Sequence, residues 1–352
     1  MFLIDGHLDI AMNALVWNRD LKKDALAIRV DEQFMTQKGR GLGTIGLPDL
    51  RAAEAGICFV TCIGRVKPRL NEPSIDYRAH EMAYAHAQGE FAYYRELARQ
   101  GIVRIIADRE TLDAHVAEWT ANPDSTPLGF VLTMEGADPI VEPVTVHDWW
   151  EQGLRVLSLA HYGPSKYAFG TASVGPVTTD GYALLDEMAK TKMILDVTHL
   201  CDESFWGAVK HFDGPLLATH SNCRTLVPGD RQFDDDQLKL LFERDAVIGT
   251  ALDAWMLSPG WIRGETDPEV VGMQAVADQI DYVCQLSGNS KHAAIGTDLD
   301  GGYGIEQTPR DLETYIDMQK IPDLLRAKGY AEADIEAIFH GNWIRLLRRV
   351  WG

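Results

Sequence analysis

The feature that most constrains this chain is a recurring pattern: short apolar runs separated by helix-like stretches. The runs are FLIDGH (2–7), ICFVTCIG (57–64), VRIIA (103–107), FVLTMEG (130–136), VLSLAH (156–161), MILDVTH (193–199), PLLATH (215–220), VIGTAL (247–252) and AAIGTD (293–298). Between them lie segments such as YRAHEMAYAHAQGEFAYYRELARQ (77–100), DDDQLKLLFERD (234–245) and DPEVVGMQAVADQIDYVCQL (267–286). Strand alternating with helix predicts a parallel sheet. Strands that are apolar throughout predict a sheet covered on both faces. Eight such units over 352 residues predict an α/β fold of the (β/α)8 TIM-barrel type. Nine runs are one too many. VRIIA is the shortest and ends without a candidate ligand, so it is placed outside the barrel. No Pro- or Gly-rich linker divides the chain, so residues 1–352 are read as a single barrel domain.

The second constraint is how the runs end. The first closes on His7, with Asp9 two residues on; residues two apart in a strand face the same side. FVLTMEG carries Glu135, and the later runs close on His161, His199, His220 and Asp298. In a parallel barrel the C-terminal strand ends gather at one face, where active sites sit. Each residue has an ordinary reading on its own. A histidine can bond a backbone carbonyl, Glu135 can pair with a surface arginine, and Asp298 and Asp300 in TDLDGG can form a turn. Buried together without partners, these groups would be costly, and a shared cation removes that cost. Histidine and carboxylate ligands without cysteine select a borderline divalent metal, zinc first. Three histidines and at least two carboxylates exceed what one catalytic ion needs. Two ions about 3.5–4 Å apart, bridged by a carboxylate, use them all. Glu135 is the expected bridge.

Composition narrows the function. A net charge of −19 repels phosphate backbones and anionic membranes, so neither nucleic acid nor a membrane surface is an expected partner. No apolar run is long enough to span a bilayer, and no signal-peptide pattern opens the sequence, so a cytoplasmic location is expected. Five cysteines without paired spacing fit a reducing compartment. Cys58 and Cys62 would lie roughly 13 Å apart along one strand, too far for a disulfide, and are read as core. The literal G-x-G-x-x-G at 41–46, GLGTIG, follows the polar stretch DEQFMTQKGR and precedes Pro48. A dinucleotide loop needs a strand before it and a helix after it, so this one is read as a plain loop. His80, His86, His115, His147, His211, His292 and His340 lie in helical or loop contexts and are read as surface or structural. Trp149, Trp150, Trp255 and Trp261 lie in connecting segments, where they line a pocket or pack in the core.

Taken in order, DGHLD (5–9), LPDLRAAEAGICFVT (47–61), TMEG (133–136), LDVTHLCDESFWGAV (195–209), LLATHSNCR (216–224), IGTDLDGG (295–302) and IFHGNWIRLL (338–347) resemble the membrane (renal) dipeptidase family of zinc peptidases. The resemblance implies a metal-dependent hydrolase barrel with two zinc ions. It assigns His7 and Asp9 to the first ion, Glu135 to both, and His199 and His220 to the second. It makes Asp298 the acid/base and His161 the substrate-side histidine, although LAHYGPSKYAFG departs from the usual surroundings of that residue. Arg231, in DRQFDDD, matches an arginine that holds the substrate carboxylate; Arg224 is the second choice, and a salt bridge to the neighbouring aspartates is the ordinary alternative. The family's signal peptide and lipid anchor are not matched.

The function so implied is hydrolysis of a dipeptide, L-D dipeptides included, by a hydroxide formed at the binuclear zinc centre. The partner is then a small-molecule substrate, with a homo-oligomer left open. The nearest alternative is a related amidohydrolase acting on an N-acyl amino acid or a cyclic amide, since loops rather than fold would decide the substrate. A catalytically silent metal-binding scaffold would be expected to lack a ligand, and none is missing. A dinucleotide-dependent oxidoreductase would rest on GLGTIG alone.

Overall fold

The computed structural model describes residues 1–67 and 75–352. Eight parallel strands form its centre: β1 (Leu3–Leu8), β2 (Ala55–Cys62), β3 (Leu128–Met134), β4 (Leu154–Ser158), β5 (Ile194–Asp196), β6 (Leu216–Leu217), β7 (Ile248–Thr250) and β8 (Ala293–Ile295). Their order in the sheet is β7-β8-β1-β2-β3-β4-β5-β6. The ring closes through a parallel bridge between Ala218 and Ile248, where Ala218 N donates to Val247 O (3.0 Å) and Gly249 N donates to Ala218 O (2.8 Å). The (β/α)8 expectation is met. VRIIA does form a strand, Val103–Ile105, but among the described residues it pairs only with Leu128, Gly129 and Phe130, the part of β3 that β4 does not reach. It lies outside the ring, as its length and bare end imply.

The three long helical segments form helices His80–Arg99, Asp235–Glu243 and Gln274–Ser287. The second begins at a capping box, in which Asp234 accepts from Asp236 N and Gln237 N while the Gln237 side chain accepts from Asp234 N. The third stops at Gly288, whose φ of 70° is the left-handed conformation that ends helices.

Two apolar layers hold the barrel. Side chains from seven of the strands, including Ile4, Phe59, Val131, Val156, Ile194 and Leu217, and Val247 just before β7 meet inside it with Trp343 of the C-terminal helix Asn342–Trp351. Trp343 plugs the N-terminal end, donating Nε1 to Ile295 O (3.0 Å), with its ring 5.0 Å from that of Phe59 and tilted by 45°. The larger cluster lies between strands and helices and contains Cys58 and Cys62, both fully buried and free. Above the inner layer the barrel narrows. A Cβ on Gly6, Gly249 or Gly296 would lie 2.7, 2.0 or 1.8 Å from Thr219 O, closer than any real contact, so backbone packs on backbone there. The polar residues begin immediately above this constriction.

Candidate metal centre

His7 reaches the site because β1 is irregular. Asp5 pairs with Cys58 but Leu8 pairs with Val60, so β1 spends one residue more than β2 over the same span. A bulge re-aims the side chains that follow it. Ile4 therefore packs inside the barrel, Leu8 packs in the outer layer, and His7 and Asp9 face inward. His199 (φ 69°) and Asp298 (φ 58°) are turned in by left-handed backbone just beyond β5 and β8. Non-glycine residues hold that conformation at a cost of about 1–3 kcal/mol, and it concentrates at functional sites. Asp298 and Asp300 (φ 59°) are thus turn formers as well.

The predicted strand-end residues converge. Glu135 is the centre, and its two oxygens face different partners. Oε1 lies 3.0 Å from His199 Nε2, 3.3 Å from His220 Nε2 and 3.7 Å from His161 Nε2. Oε2 lies 3.7 Å from His7 Nε2, which is also 3.6 Å from Asp9 Oδ2 and 3.8 Å from Asp298 Oδ1. Three overlapping triads have ligand atoms close enough to share an ion: His7–Asp9–Glu135, Glu135–His199–His220 and His7–His220–Asp298.

This donor set fits divalent metal. His7 Nε2 and Asp9 Oδ1 are buried with no hydrogen-bond partner among the described residues, which is costly unless something else satisfies them. Burial is the largest single influence on His7, Glu135, His161, His199, His220 and Asp298. It pushes the Glu135 carboxyl up to about 7, opposed by the positive charge of His7, and holds Asp298 well above the usual carboxylate range. Burial disfavours a charged His7, yet Glu135, Asp9 and Asp298 outweigh it and lift the imidazole to about 10. His161, His199 and His220 are held well below 6.5 by burial and by neighbouring cations, among them Arg231. Without metal, His7, Glu135 and Asp298 favour their protonated forms, while His199 and His220 favour the neutral imidazole, the form that ligates.

A supporting layer orients the ligands. Asp196 Oδ2 accepts from Thr219 Oγ1 (2.6 Å), so that hydroxyl's remaining role toward His220 Nδ1 (2.9 Å) is acceptor, which leaves His220 Nε2 bare toward Glu135. Thr171 Oγ1 lies 2.9 Å from His199 Nδ1. Asp5 accepts from His7 N, Thr297 N, Thr297 Oγ1 and Tyr315 Oη. Such partners fix ring orientation and tautomer.

A cavity of about 600 Å³ opens over the cluster. Asp9, Glu135, His161, His199, Arg231 and Asp298 line it. Arg231 is buried, donating to Ser221 Oγ (2.9 Å) and His220 O (2.8 Å). Of the neighbouring aspartates Asp234 lies 3.7 Å from Arg224, whose main partner is Asp202 at 2.7 Å. Trp255 and Trp261 line the cavity, whereas Trp149 packs edge-on against Phe91 and Trp150 lies under Arg155. The remaining histidines are surface or structural: His211 pairs with Asp186 at the surface, and His115, His292 and His340 bond the carbonyls of Gly56, Ala246 and Phe2. GLGTIG is a loop whose Thr44 and Ile45 amides donate to Asp300, bracing the segment that carries Asp298.

Sequence reasoning missed several cavity groups. Asp253 follows VIGTAL by one residue, and its carboxylate accepts from Trp255 Nε1 (2.6 Å) and Gln307 Nε2 (2.8 and 2.9 Å). Arg65, three residues past β2, reaches His161. Tyr162, Tyr303 and Gln307 also line the space. Asp5 and Asp196 did leave a signal, each being a lone acid inside an apolar run, FLIDGH and MILDVTH.

The sequence matches the family model for membrane dipeptidases, peptidase family M19, over residues 1–351. A Klebsiella pneumoniae protein known from the pqqA 5' region is 30% identical over 183 residues, covering 52% of this chain and 64% of that protein, short of two thirds of its length. The dipeptidase aclJ of Aspergillus oryzae is 26% identical over 355 residues, covering 98% of this chain and 77% of the relative. The fold superposes with a TM-score of 0.78 on a metallo peptidase from Rhodobacter sphaeroides solved with a phosphinate mimic of the dipeptide L-Ala-D-Ala; the identity is 22%, and 100% of this chain and 99% of the other are covered. With an eight-stranded barrel, a buried histidine and carboxylate cluster at its C-terminal face and a family match from end to end, this chain belongs to the membrane dipeptidase family of metallopeptidases, family M19.

Proposed function

We propose that this chain hydrolyses the peptide bond of dipeptides, with two zinc ions held by His7, Asp9, Glu135, His199 and His220. The observation that carries the reading is the division of Glu135, one oxygen toward His199 and His220 and the other toward His7 beside Asp9. That is the placement a bridging carboxylate needs. When bound, the ions supply Lewis acidity toward the scissile carbonyl and bring the pKa of a coordinated water near neutrality.

The chain's own residues do the rest. His161 presents Nε2 to the cavity, where an N–H would donate to the oxygen of the attacked carbonyl as charge develops on it. Asp298, at the cavity edge, accepts the proton of the attacking water and returns it to the leaving amine. Arg231 spends one N–H on Ser221 and one on His220 O, which leaves three of its five for the substrate's C-terminal carboxylate. A carboxylate held there sets the bond over Glu135 and disfavours longer peptides, which have no carboxylate at that position. The phosphinate mimic bound by the Rhodobacter sphaeroides relative supports a dipeptide substrate, L-D included.

Residues 1–352 act as one catalytic unit in this reading. The five cysteines, free and buried, support a reducing compartment such as the cytoplasm. Among the described residues no helix is long and apolar enough to cross a membrane. The test is hydrolysis of L-L and L-D dipeptides by zinc-reconstituted protein beside a chelated control. Chelator-sensitive cleavage is expected. Two bound ions with no cleavage of any dipeptide would move the substrate to another amide.

A further inference from the structure

We infer that Arg65 is a positioning residue that holds His161 in the tautomer whose Nε2–H faces the cavity. The inference rests on the reading of His161 as the donor to the substrate carbonyl. Arg65 Nη1 lies 3.2 Å from His161 Nδ1. A guanidinium has only donors, so Nδ1 must supply its lone pair to this contact. A neutral imidazole with a bare Nδ1 carries its hydrogen on Nε2. That nitrogen lines the cavity, 3.7 Å from Glu135 Oε1.

Arg65 is itself fixed. Its Nε and Nη2 donate to the two oxygens of Asp76 at 2.6 and 2.8 Å, a bidentate clamp that leaves Nη1 aimed at the ring. Asp76 comes from the other strand of a short parallel ribbon, Arg65–Val66 with Asp76–Tyr77. The ribbon is tied to the segment after β3 and to the loop after β4. Val66 N donates to Asp138 Oδ2 (2.7 Å) and Lys67 Nζ to Tyr162 O (2.7 Å). The unusual loop LAHYGPSKYAFG is therefore held by a device reaching over from β2, two strands away in the ring.

Removing Arg65 leaves Nδ1 without its donor, and this change favours a hydrogen on Nδ1. A ring protonated there can present a bare Nε2 to the cavity and lose its donor role.

The experiment is ¹⁵N NMR of histidine-labelled, zinc-loaded protein, with His161→Gln to assign the signal, alongside kcat and KM for a dipeptide in wild type, Arg65→Met and Arg65→Lys. Wild type is expected to show a bare Nδ1 and a protonated Nε2. Arg65→Met is expected to gain a proton on Nδ1 and to lose roughly 10- to 100-fold in kcat with KM little changed; losing such a donor outright costs about 10²–10³. Arg65→Lys keeps a donor cation and should retain part of the wild-type signal and rate. A protonated Nδ1 in wild type, or an unchanged His161 signal in Arg65→Met, overturns the inference. The NMR needs no substrate. A bare wild-type Nδ1 in a protein that cleaves no dipeptide would therefore count against the dipeptidase reading and not against the role of Arg65.

Discussion

Thr219→Val isolates the support beneath the metal ligands. Valine matches threonine in shape but removes two contacts: the 2.6 Å donation to Asp196 Oδ2 and the 2.9 Å acceptance from His220 Nδ1–H. A hydrogen bond to a charged group contributes about 1.5–3 kcal/mol, and a buried donor left unsatisfied costs about 1–3 kcal/mol. Asp196 keeps the amides of Thr198 and Thr219 on Oδ1, so the loss is partial, and about 3–5 kcal/mol is expected. Over 352 residues, at about 2.1 cal/mol/K each, the unfolding entropy is about 0.74 kcal/mol/K. The metal-free variant should therefore melt about 4–7 °C lower. His220 also loses the partner that fixes its tautomer, so zinc affinity should fall about 10–100-fold. Thermal melts of the metal-free proteins and competitive zinc titration against a chromophoric chelator read the two effects separately. A melting shift under about 1 °C together with unchanged affinity would refute the reasoning that Asp196 and Thr219 hold the imidazole.

Three further outcomes are expected. Asp298→Asn should bind metal as the wild type does and lose about 10²–10⁴ in kcat, read by metal content and steady-state kinetics on one preparation. Arg231→Ala should chiefly raise KM, and unchanged dipeptide kinetics would remove Arg231 from the substrate site. Asp253 gives a pH test in the metal-free protein. Burial pushes its carboxyl up to about 7, against donation from Gln307 and Trp255. The native state then keeps a proton that the unfolded chain releases near 4, so stability falls as pH rises through that window. Relative to Asp253→Asn, wild type should lose about 3 kcal/mol between pH 5 and pH 8, measured by chemical unfolding. A difference independent of pH would place the carboxyl in its ordinary range.

Much of the site was legible because a parallel barrel turns a linear pattern into a spatial one. Runs ending in His161, His199, His220 and Asp298 must bring those residues to one rim, whatever the loops do. What the pattern could not supply was local geometry. Nothing in FLIDGH announces that β1 bulges between Asp5 and Leu8, yet without that extra residue Leu8 and not His7 would face inward. The left-handed turn at His199 is equally silent, whereas TDLDGG did offer a turn at Asp298. Asp253 was missed because its run was cut one residue early. Arg65 was missed because its partner stands 96 residues away. GLGTIG shows the converse case: a string with a well-known use whose amides here hold Asp300 and so brace the turn bearing Asp298.

The central claim is that one carboxylate, Glu135, joins two ion sites into a single hydrolytic centre. Titrating zinc into metal-free protein while following hydrolysis of an L-Ala-D-Ala substrate tests it directly. Activity that climbs to a plateau at two equivalents is the predicted result. Full activity at one equivalent, or two ions bound without turnover, would contradict it.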